Sequence, residues 1–219
     1  MNKSKLIEKN EKEVVIPADS MQLQGILGLP PQAKGIVVFA HGSGSGRFSP
    51  RNNFVARVLQ NAGIATLLVD LLEESESMDR RNVFDIDLLA NRLLANAHWL
   101  RQQKETKRFM LGYFGASTGA AAALQAAARK PDWIVAVVSR GGRPDLAMEY
   151  LTLVQAPTLL IVGGEDQPVI PLNEAAYARL KCPKELVIVP GATHLFEEPG
   201  ALEKVAQLAC DWFIKYFHI

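Results

Sequence analysis

The strongest chemical signal in this sequence is a serine flanked by glycines. Residues 115–119 read Gly-Ala-Ser-Thr-Gly, a Gly-x-Ser-x-Gly motif with Ser117 at its centre. The apolar run 108–114 predicts a strand before the motif, and the alanine-rich stretch 117–129 predicts a helix after it. On such a turn the hydroxyl is exposed, the glycines leave the crowded backbone free of side chains, and the helix N-terminus adds positive potential. The motif predicts a nucleophilic serine; a helix-capping serine is the alternative.

An acid and a base follow the serine in the chain order that such a nucleophile needs. Asp166 comes after the predicted strand 158–162, and His194 comes after the predicted strand 185–189. A serine hydroxyl becomes a useful nucleophile when a histidine removes its proton, and a carboxylate orients that histidine and stabilises its charged form. The order Ser, Asp, His is the one found in α/β hydrolases.

Other residues compete for both roles. His98 lies within a predicted helix and His218 in the C-terminal tail, so both are expected to be surface or packing residues. His41 ends the first predicted parallel strand; a structural hydrogen-bonding role is favoured for it, and a direct catalytic role or substrate contact are the other possibilities. Glu165, next to Asp166, and Asp70, at another strand end, are the alternative acids, and either could instead cap a turn.

An oxyanion hole is expected beside the serine. The negative charge that develops in acyl transfer is commonly held by two backbone N–H donors. Thr118, the residue after the nucleophile, should supply one. Ser43 is predicted to supply the other, from the loop 41–46, which reads His-Gly-Ser-Gly-Ser-Gly. This loop lacks the Gly-Lys-Ser/Thr ending of a phosphate-binding loop and the Gly-x-Gly-x-x-Gly spacing of a dinucleotide site, so no nucleotide cofactor is expected.

Two arginines follow another predicted strand. Arg140 and Arg143 lie in the segment Ser-Arg-Gly-Gly-Arg-Pro-Asp, after the strand 134–139. They could bind an anionic group of the substrate, or they could pair with acids such as Asp145 and shape the loop. Arg47 and Arg51, after the glycine-rich loop, would strengthen the first possibility if they pointed inward.

The composition favours a small-molecule enzyme of the cytoplasm. The 219 residues are 48% hydrophobic and carry a net charge of +1 without basic runs, so neither nucleic acid nor a membrane surface is an expected partner. The first ten residues are too polar for a signal peptide, and no apolar run is long enough to span a membrane. Cys182 and Cys210 are expected to be unpaired thiols, and no His/Cys cluster has metal-ligand spacing, so no metal is predicted.

The elements that must position these residues alternate along the chain. Residues 13–17 and 21–29 predict an opening antiparallel hairpin, after a leader at 1–11 that is expected to be flexible. Further strands are predicted at 35–40, 65–70, 108–114, 134–139, 158–162 and 185–189, and helices at 50–62, 81–104, 117–129, 171–181 and 200–217. This alternation predicts one α/β domain over residues 1–219, with a mostly parallel sheet covered by helices on both faces. Ligands then bind at the carboxyl ends of the strands. The acidic segment 71–80 should lie at the rim of the site.

Four motifs together resemble the dienelactone hydrolase-like family of α/β hydrolases. They are His-Gly-Ser-Gly at 41–44, Gly-Ala-Ser-Thr-Gly at 115–119, Gly-Gly-Glu-Asp at 163–166 and Gly-Ala-Thr-His at 191–194. The resemblance implies that the first supplies the oxyanion loop and the others the nucleophile, acid and base. It also implies a compact enzyme without a cap, which the short connection 140–156 suits. In dienelactone hydrolases proper a cysteine replaces Ser117, so the expected substrate shifts toward esters in general.

The sequence therefore predicts a serine esterase that acts on a small-molecule ester through an acyl-enzyme, as a monomer or homodimer. Two alternatives remain. The same triad could cleave a thioester or a lactone, or the domain could be a catalytically silent α/β hydrolase that only binds its ligand.

Overall fold

The computed structural model describes residues 10–219, and its described part is built on an eight-stranded sheet. The strands are β1 (Glu11–Ala18), β2 (Met21–Gly28), β3 (Gly35–Ala40), β4 (Ala65–Val69), β5 (Met110–Ala116), β6 (Ile134–Arg140), β7 (Thr158–Gly163) and β8 (Lys184–Val189). Their order in the sheet is β1-β2-β4-β3-β5-β6-β7-β8. The first two strands form an antiparallel hairpin that joins β4 antiparallel, and β3 to β8 run parallel. This is the predicted α/β-hydrolase fold.

Helices cover both faces of this sheet. They are α1 (Pro50–Asn61), α2 (Glu74–Ser77), α3 (Arg80–Val83), α4 (Ile86–Gln102), α5 (Thr118–Arg129), α6 (Ile170–Arg179) and α7 (Ala201–Phe217). On one face α1 and α7 pack together through buried side chains such as Leu59 and Phe213. On the other face α4 and α5 pack through Leu93 and a run of alanines. Because β3 is buried at all six positions between these layers, it reads as a continuous apolar run.

Most element boundaries agree with the sequence prediction, and two regions differ. The predicted helix 81–104 is divided into α3 and α4, because the Asp85 carboxylate accepts a hydrogen bond from Leu88 N–H and starts a new helix there. The end of the predicted leader 1–11 belongs to the first strand, since Glu11 already pairs with Gly28 in the hairpin. Residues 1–9 of that leader lie outside the described residues.

The connection from β6 to β7 is short and contains only two turns of 3₁₀ helix, Pro144–Ala147 and Leu151–Leu153. No separate cap is inserted at this point. Within residues 10–219, none of the helices has both the length and the apolarity needed to cross a lipid bilayer.

Candidate active site

Ser117 occupies the sharp turn between β5 and α5. Its backbone angles are φ 52° and ψ −122°, a conformation that is strained for a residue with a side chain. The turn is held on both sides: Ser117 N–H donates to the Arg140 carbonyl oxygen at 3.3 Å, and Arg143 N–H donates to the Ser117 carbonyl oxygen at 3.0 Å. Although Ser117 stands at the N-cap position of α5, its hydroxyl makes no capping hydrogen bond. The capping alternative therefore does not account for this serine.

The two glycines of the motif are required by close approaches of the backbone. A Cβ atom on Gly115 would lie 2.7 Å from the nitrogen of Ala120, and one on Gly119 would lie 2.5 Å from the carbonyl oxygen of His41. Both distances are far below van der Waals contact. The glycines therefore let α5 begin directly against the ends of β3 and β5, which keeps the serine turn tight.

Asp166 and His194 meet across the loops that follow β7 and β8. Nδ1 of His194 lies 2.6 Å from Oδ2 of Asp166, so the ring donates from Nδ1 to the carboxylate and Nε2 is left as the acceptor. Asp166 is only 7% exposed, whereas the neighbouring Glu165 is exposed and makes no contact with the histidine. Of the two adjacent acids in the sequence, the structure therefore brings Asp166 to His194.

The histidine lies beside the segment that holds the serine. A Cβ atom on Gly141 would be 3.5 Å from both Nδ1 and Cε1 of His194, and Gly141 directly follows Arg140, whose carbonyl oxygen accepts Ser117 N–H. Within the described part of the chain, Ser117 Oγ itself has no hydrogen-bonding partner. In unliganded enzymes the contact between base and nucleophile is often long and shortens when substrate binds.

Two backbone N–H groups are available next to the serine. Ser43 and Thr118 both line a cavity of about 440 Å³, and among the described residues neither N–H has a hydrogen-bonding partner. Gly42 brings the loop against the nucleophile, since a Cβ atom there would lie 2.9 Å from Ser117 Cβ. The two N–H groups are thus free to bind an oxygen atom that enters the cavity, as an oxyanion hole requires.

His41 supports this loop through its ring. Nδ1–H donates to the Gly42 carbonyl oxygen at 2.9 Å, and Nε2 accepts a hydrogen bond from Leu71 N–H at 2.9 Å. The ring is 9% exposed, and its burial lowers the pKa of His41 below the usual histidine value. His41 lies in the cavity wall, but both ring nitrogens are already used.

Asp70, the other alternative acid, also holds the loop. Its Oδ1 accepts a hydrogen bond from Arg47 N–H at 2.6 Å, and its Oδ2 pairs with the Arg47 guanidinium. Asp70 and Arg47 therefore tie the glycine-rich loop to the end of β4. Their charges pair with each other, whereas the sequence left open the roles of acid for Asp70 and of anion ligand for Arg47.

The two predicted anion-binding arginines have different surroundings. Arg143 makes a two-point ion pair with Asp145, with Nε to Oδ1 at 2.9 Å and Nη2 to Oδ2 at 2.8 Å. Of the two possibilities that the sequence left open, Arg143 therefore pairs with a nearby acid and shapes the loop. Arg140 is 7% exposed and makes no hydrogen bond through its side chain to any described residue.

A wall of the cavity comes from the region 72–89, in which no site residue was predicted. Leu72, Val83 and Leu89 supply apolar surface, and Glu74 and Ser77 supply polar groups. The only sequence signal was that the acidic segment 71–80 follows a strand. It is tied to α4 by an ion pair in which Arg92 Nη2 lies 3.0 Å from Glu76 Oε1.

Comparisons with known proteins concern the family and the fold. The family model of the dienelactone hydrolase family matches residues 23–218. A solved structure described as dienelactone hydrolase from Anabaena variabilis ATCC 29413 is 56% identical, with a TM-score of 0.91 over 94% of this chain and 99% of that one. Est1E from Butyrivibrio proteoclasticus shares the fold, with a TM-score of 0.82 at 17% identity over 94% of this chain and 99% of that one.

A curated relative from Mycobacterium tuberculosis H37Rv is named putative phosphoribosyl transferase. It is 58% identical over 206 residues, which are 94% of this chain and 46% of the relative. This chain thus spans about half the length of that curated relative.

Proposed function

This chain belongs to the dienelactone hydrolase family of α/β hydrolases, and from that premise we propose that it is a serine esterase that cleaves small carboxylic esters through an acyl-enzyme. The observation that carries the proposal is the 2.6 Å contact between His194 Nδ1 and Asp166 Oδ2, next to the strained turn of Ser117. That combination supplies a nucleophile, a base and an orienting acid in one place.

In the first half of the proposed reaction, Ser117 Oγ attacks the carbonyl carbon of the ester and His194 Nε2 takes the hydroxyl proton. The N–H groups of Ser43 and Thr118 hold the oxyanion that forms. When this tetrahedral intermediate collapses, the C–O bond to the alcohol breaks and His194 returns the proton to the leaving oxygen. The acyl group stays on Ser117.

In the second half, water attacks the acyl-enzyme and His194 takes one proton from it. The second tetrahedral intermediate releases the carboxylic acid, and the proton returns to Ser117 Oγ. Asp166 keeps the ring oriented and stabilises its charged form in both halves. In this proposal His41 is a positioning residue, since its two ring nitrogens hold the loop that carries Ser43.

Hydrolysis of p-nitrophenyl acetate by wild type and by Ser117→Ala tests the proposal. We expect the variant to lose about 10⁴–10⁶-fold in kcat, because the remaining groups cannot form the acyl-enzyme. A fluorophosphonate probe should label wild type and not the variant. Equal hydrolysis rates, or a wild type that the probe does not label, would contradict the proposal; the second result would favour a silent binding domain.

The triad does not by itself select among acyl compounds. Thioesters and lactones place the same carbonyl carbon before Ser117, so profiling matched oxygen esters, thioesters and lactones by kcat/KM separates these substrates. Transfer of a phosphoribosyl group is the activity in the name of the longer relative. The Asp166 to His194 contact beside Ser117 is why we propose acyl hydrolysis for this chain.

A further inference from the structure

Arg140 is a buried cation that forms no ion pair with any residue in the described range 10–219. It ends β6 and is 7% exposed, and its Nε is fully buried without a hydrogen-bonding partner. Its two terminal nitrogens make no hydrogen bond to any described residue either, but they are not fully enclosed. Withdrawing a guanidinium from water is costly unless its donors are satisfied, so this arrangement indicates a partner from outside the chain.

A second arginine lies beside it. Arg51 is in the first turn of α1 and contacts Glu197 at 3.2 Å between Nη1 and Oε1, while the Arg140 guanidinium lies 6.0 Å from the ring centre of Phe196. Both arginines therefore touch the same short segment, which follows His194. Arg51 also has a buried Nε without a partner.

The electrostatics of this pair favour an anion. Burial and the nearby charge of Arg51 lower the pKa of Arg140 to about 10, so Arg140 remains charged at neutral pH. The positive end of α1 adds to the same potential, since Arg51 lies in its first turn.

We propose that Arg51 and Arg140 form an anion subsite that binds a carboxylate or phosphate on the leaving group of the ester. The proposal rests on the esterase function proposed above. Planar guanidinium groups with free N–H donors suit the two oxygen atoms of such an anion. Arg51 also lines an open cavity of about 390 Å³ together with the loop 43–46.

The leaving-group side follows from where His194 lies. His194 must protonate the departing oxygen, so the alcohol leaves on the side of the histidine and of the segment that contacts the two arginines. The cavity beside Ser43 and Thr118 combines apolar Leu72 and Val83 with acidic Glu74 in its wall, which disfavours an anionic acyl group there. The subsite would thus select esters of hydroxy acids or of phosphorylated alcohols.

The test compares phenyl acetates that differ only in their para substituent: carboxylate, phosphonate or neutral carboxamide. We expect the wild type to favour at least one anionic ester over the carboxamide by about tenfold or more in kcat/KM, mainly through KM, after correction for the rates of spontaneous hydrolysis. The larger of the two preferences shows whether the subsite favours a carboxylate or a phosphonate. 4-Nitrophenyl hydrogen succinate, whose charge is on the acyl side, should show no Arg140-dependent advantage.

Variants then assign the preference to the two arginines. In Arg140→Gln and in Arg51→Gln, the ratio of anionic to neutral kcat/KM should fall by about tenfold, whereas Arg57→Gln, an exposed arginine of the same helix, should keep the wild-type ratio. Circular dichroism checks folding. If Arg140→Gln does not fold, Arg51→Gln decides, because its side chain is 31% exposed and its loss does not open the core.

Three results would overturn the subsite: no anionic preference in wild type, a preference unchanged by Arg51→Gln, or an Arg140-dependent preference for acyl-side charge. A binding measurement separates this failure from failure of the esterase proposal. Calorimetric titration of Ser117→Ala with 4-hydroxybenzoate, 4-hydroxyphenylphosphonate and 4-hydroxybenzamide requires no catalysis. Arg51-dependent binding of an anionic product without any ester hydrolysis would retain the subsite and reject the esterase.

Discussion

At the scale of single residues, the proposed chemistry depends on how His194 is held. Asp166 is buried and accepts a hydrogen bond from Nδ1–H of His194. This leaves Nε2 free to take a proton from Ser117. An adjacent carboxylate at Glu165 is exposed and cannot replace it without a change in the turn. The pair of adjacent acids therefore offers a matched comparison.

Asp166→Asn should lower kcat by about 10⁴-fold with little change in stability, because an amide can hold the ring in the wrong tautomer while filling the same space. Glu165→Gln should leave kcat within about twofold of wild type, because its side chain points into solvent. Steady-state hydrolysis of p-nitrophenyl acetate by both variants measures this. Equal losses in the two variants would mean that the acid has been assigned wrongly.

His41 makes stability depend on pH. Burial lowers the pKa of His41 below the ordinary 6.5, and Nε2 of the neutral ring accepts a hydrogen bond from Leu71 N–H. Between the folded-state pKa and 6.5 the unfolded chain binds more protons at this residue, so its contribution to the free energy of unfolding falls as pH falls below about 6.5. Below the folded-state pKa there is no further loss.

Urea denaturation at several pH values between about 7.5 and about 5 should reveal the slope of the free energy of unfolding against pH. His41→Gln should flatten it, because an amide can make both hydrogen bonds and does not titrate. His98→Gln, at an exposed position on α4, should keep the wild-type slope. A His41→Gln slope equal to that of the wild type would show that another group titrates.

At the scale of elements, the tight start of α5 fixes the position of Ser117. Gly119 lies in the first turn of this helix against the carbonyl groups of Ala40 and His41. Alanine is the better helix former by about 1 kcal/mol, yet here its methyl group has no space. Helix propensity therefore predicts that Gly119→Ala raises the free energy of unfolding, whereas packing predicts that it lowers it.

Gly119→Ala should reduce the free energy of unfolding by about 1–3 kcal/mol or more, since the added methyl group forces α5 away from β3. It should also lower kcat, because Thr118 N–H moves with the helix. Ala128→Gly, near the other end of α5, should cost about 1 kcal/mol and leave kcat unchanged. Chemical denaturation and p-nitrophenyl acetate kinetics check both; a stabilised Gly119→Ala would refute the packing argument.

Much of the secondary structure could be predicted from the sequence because its signals are local. The strand at 35–40 has the predicted bounds since all its positions are buried. The strand before Ser117 runs to Ala116 rather than 114, because the first two motif residues continue the pairing with β6. The helix break at Asp85 was not predicted, although an aspartate just before a helix is a capping signal. Its carboxylate accepts a hydrogen bond from the backbone N–H three residues later.

Side-chain partnerships were harder to predict because they join distant parts of the chain. The sequence placed Arg140 and Arg143 in one loop, but Arg143 pairs with the nearby Asp145, whereas Arg140 lies near Arg51 from another element. Likewise the bond between Asp70 and Arg47 depends on the sheet placing β4 next to β3. Spacing along the sequence carries no information about such contacts.

At the scale of the whole molecule, a single sheet separates two cores. Phe213 of α7 is fully buried on one face, and Leu93 of α4 is fully buried on the other. Strands β2 to β7 each contribute buried side chains to both layers, so neither layer keeps its packing surface if the sheet opens. The two cores should therefore unfold together.

Calorimetry should show one transition for the wild type, for Phe213→Ala and for Leu93→Ala. We expect the two variants to lose about 3–5 and about 2–5 kcal/mol respectively, because each leaves a cavity. Leu153→Ala, at a side chain that is 58% exposed, should change stability by less than about 0.5 kcal/mol. A second transition in either core variant would show that the layers are independent.

The hydrogen bond from Ser117 N–H to the Arg140 carbonyl oxygen has a consequence for engineering this protein. The backbone of Arg140 supports the nucleophile, while its side chain belongs to the proposed anion subsite. Exchanging whole loops at this strand end would alter reactivity and charge preference together. Side-chain substitution at Arg140 and Arg51 would let directed evolution change the preferred substrate charge while the serine turn stays intact.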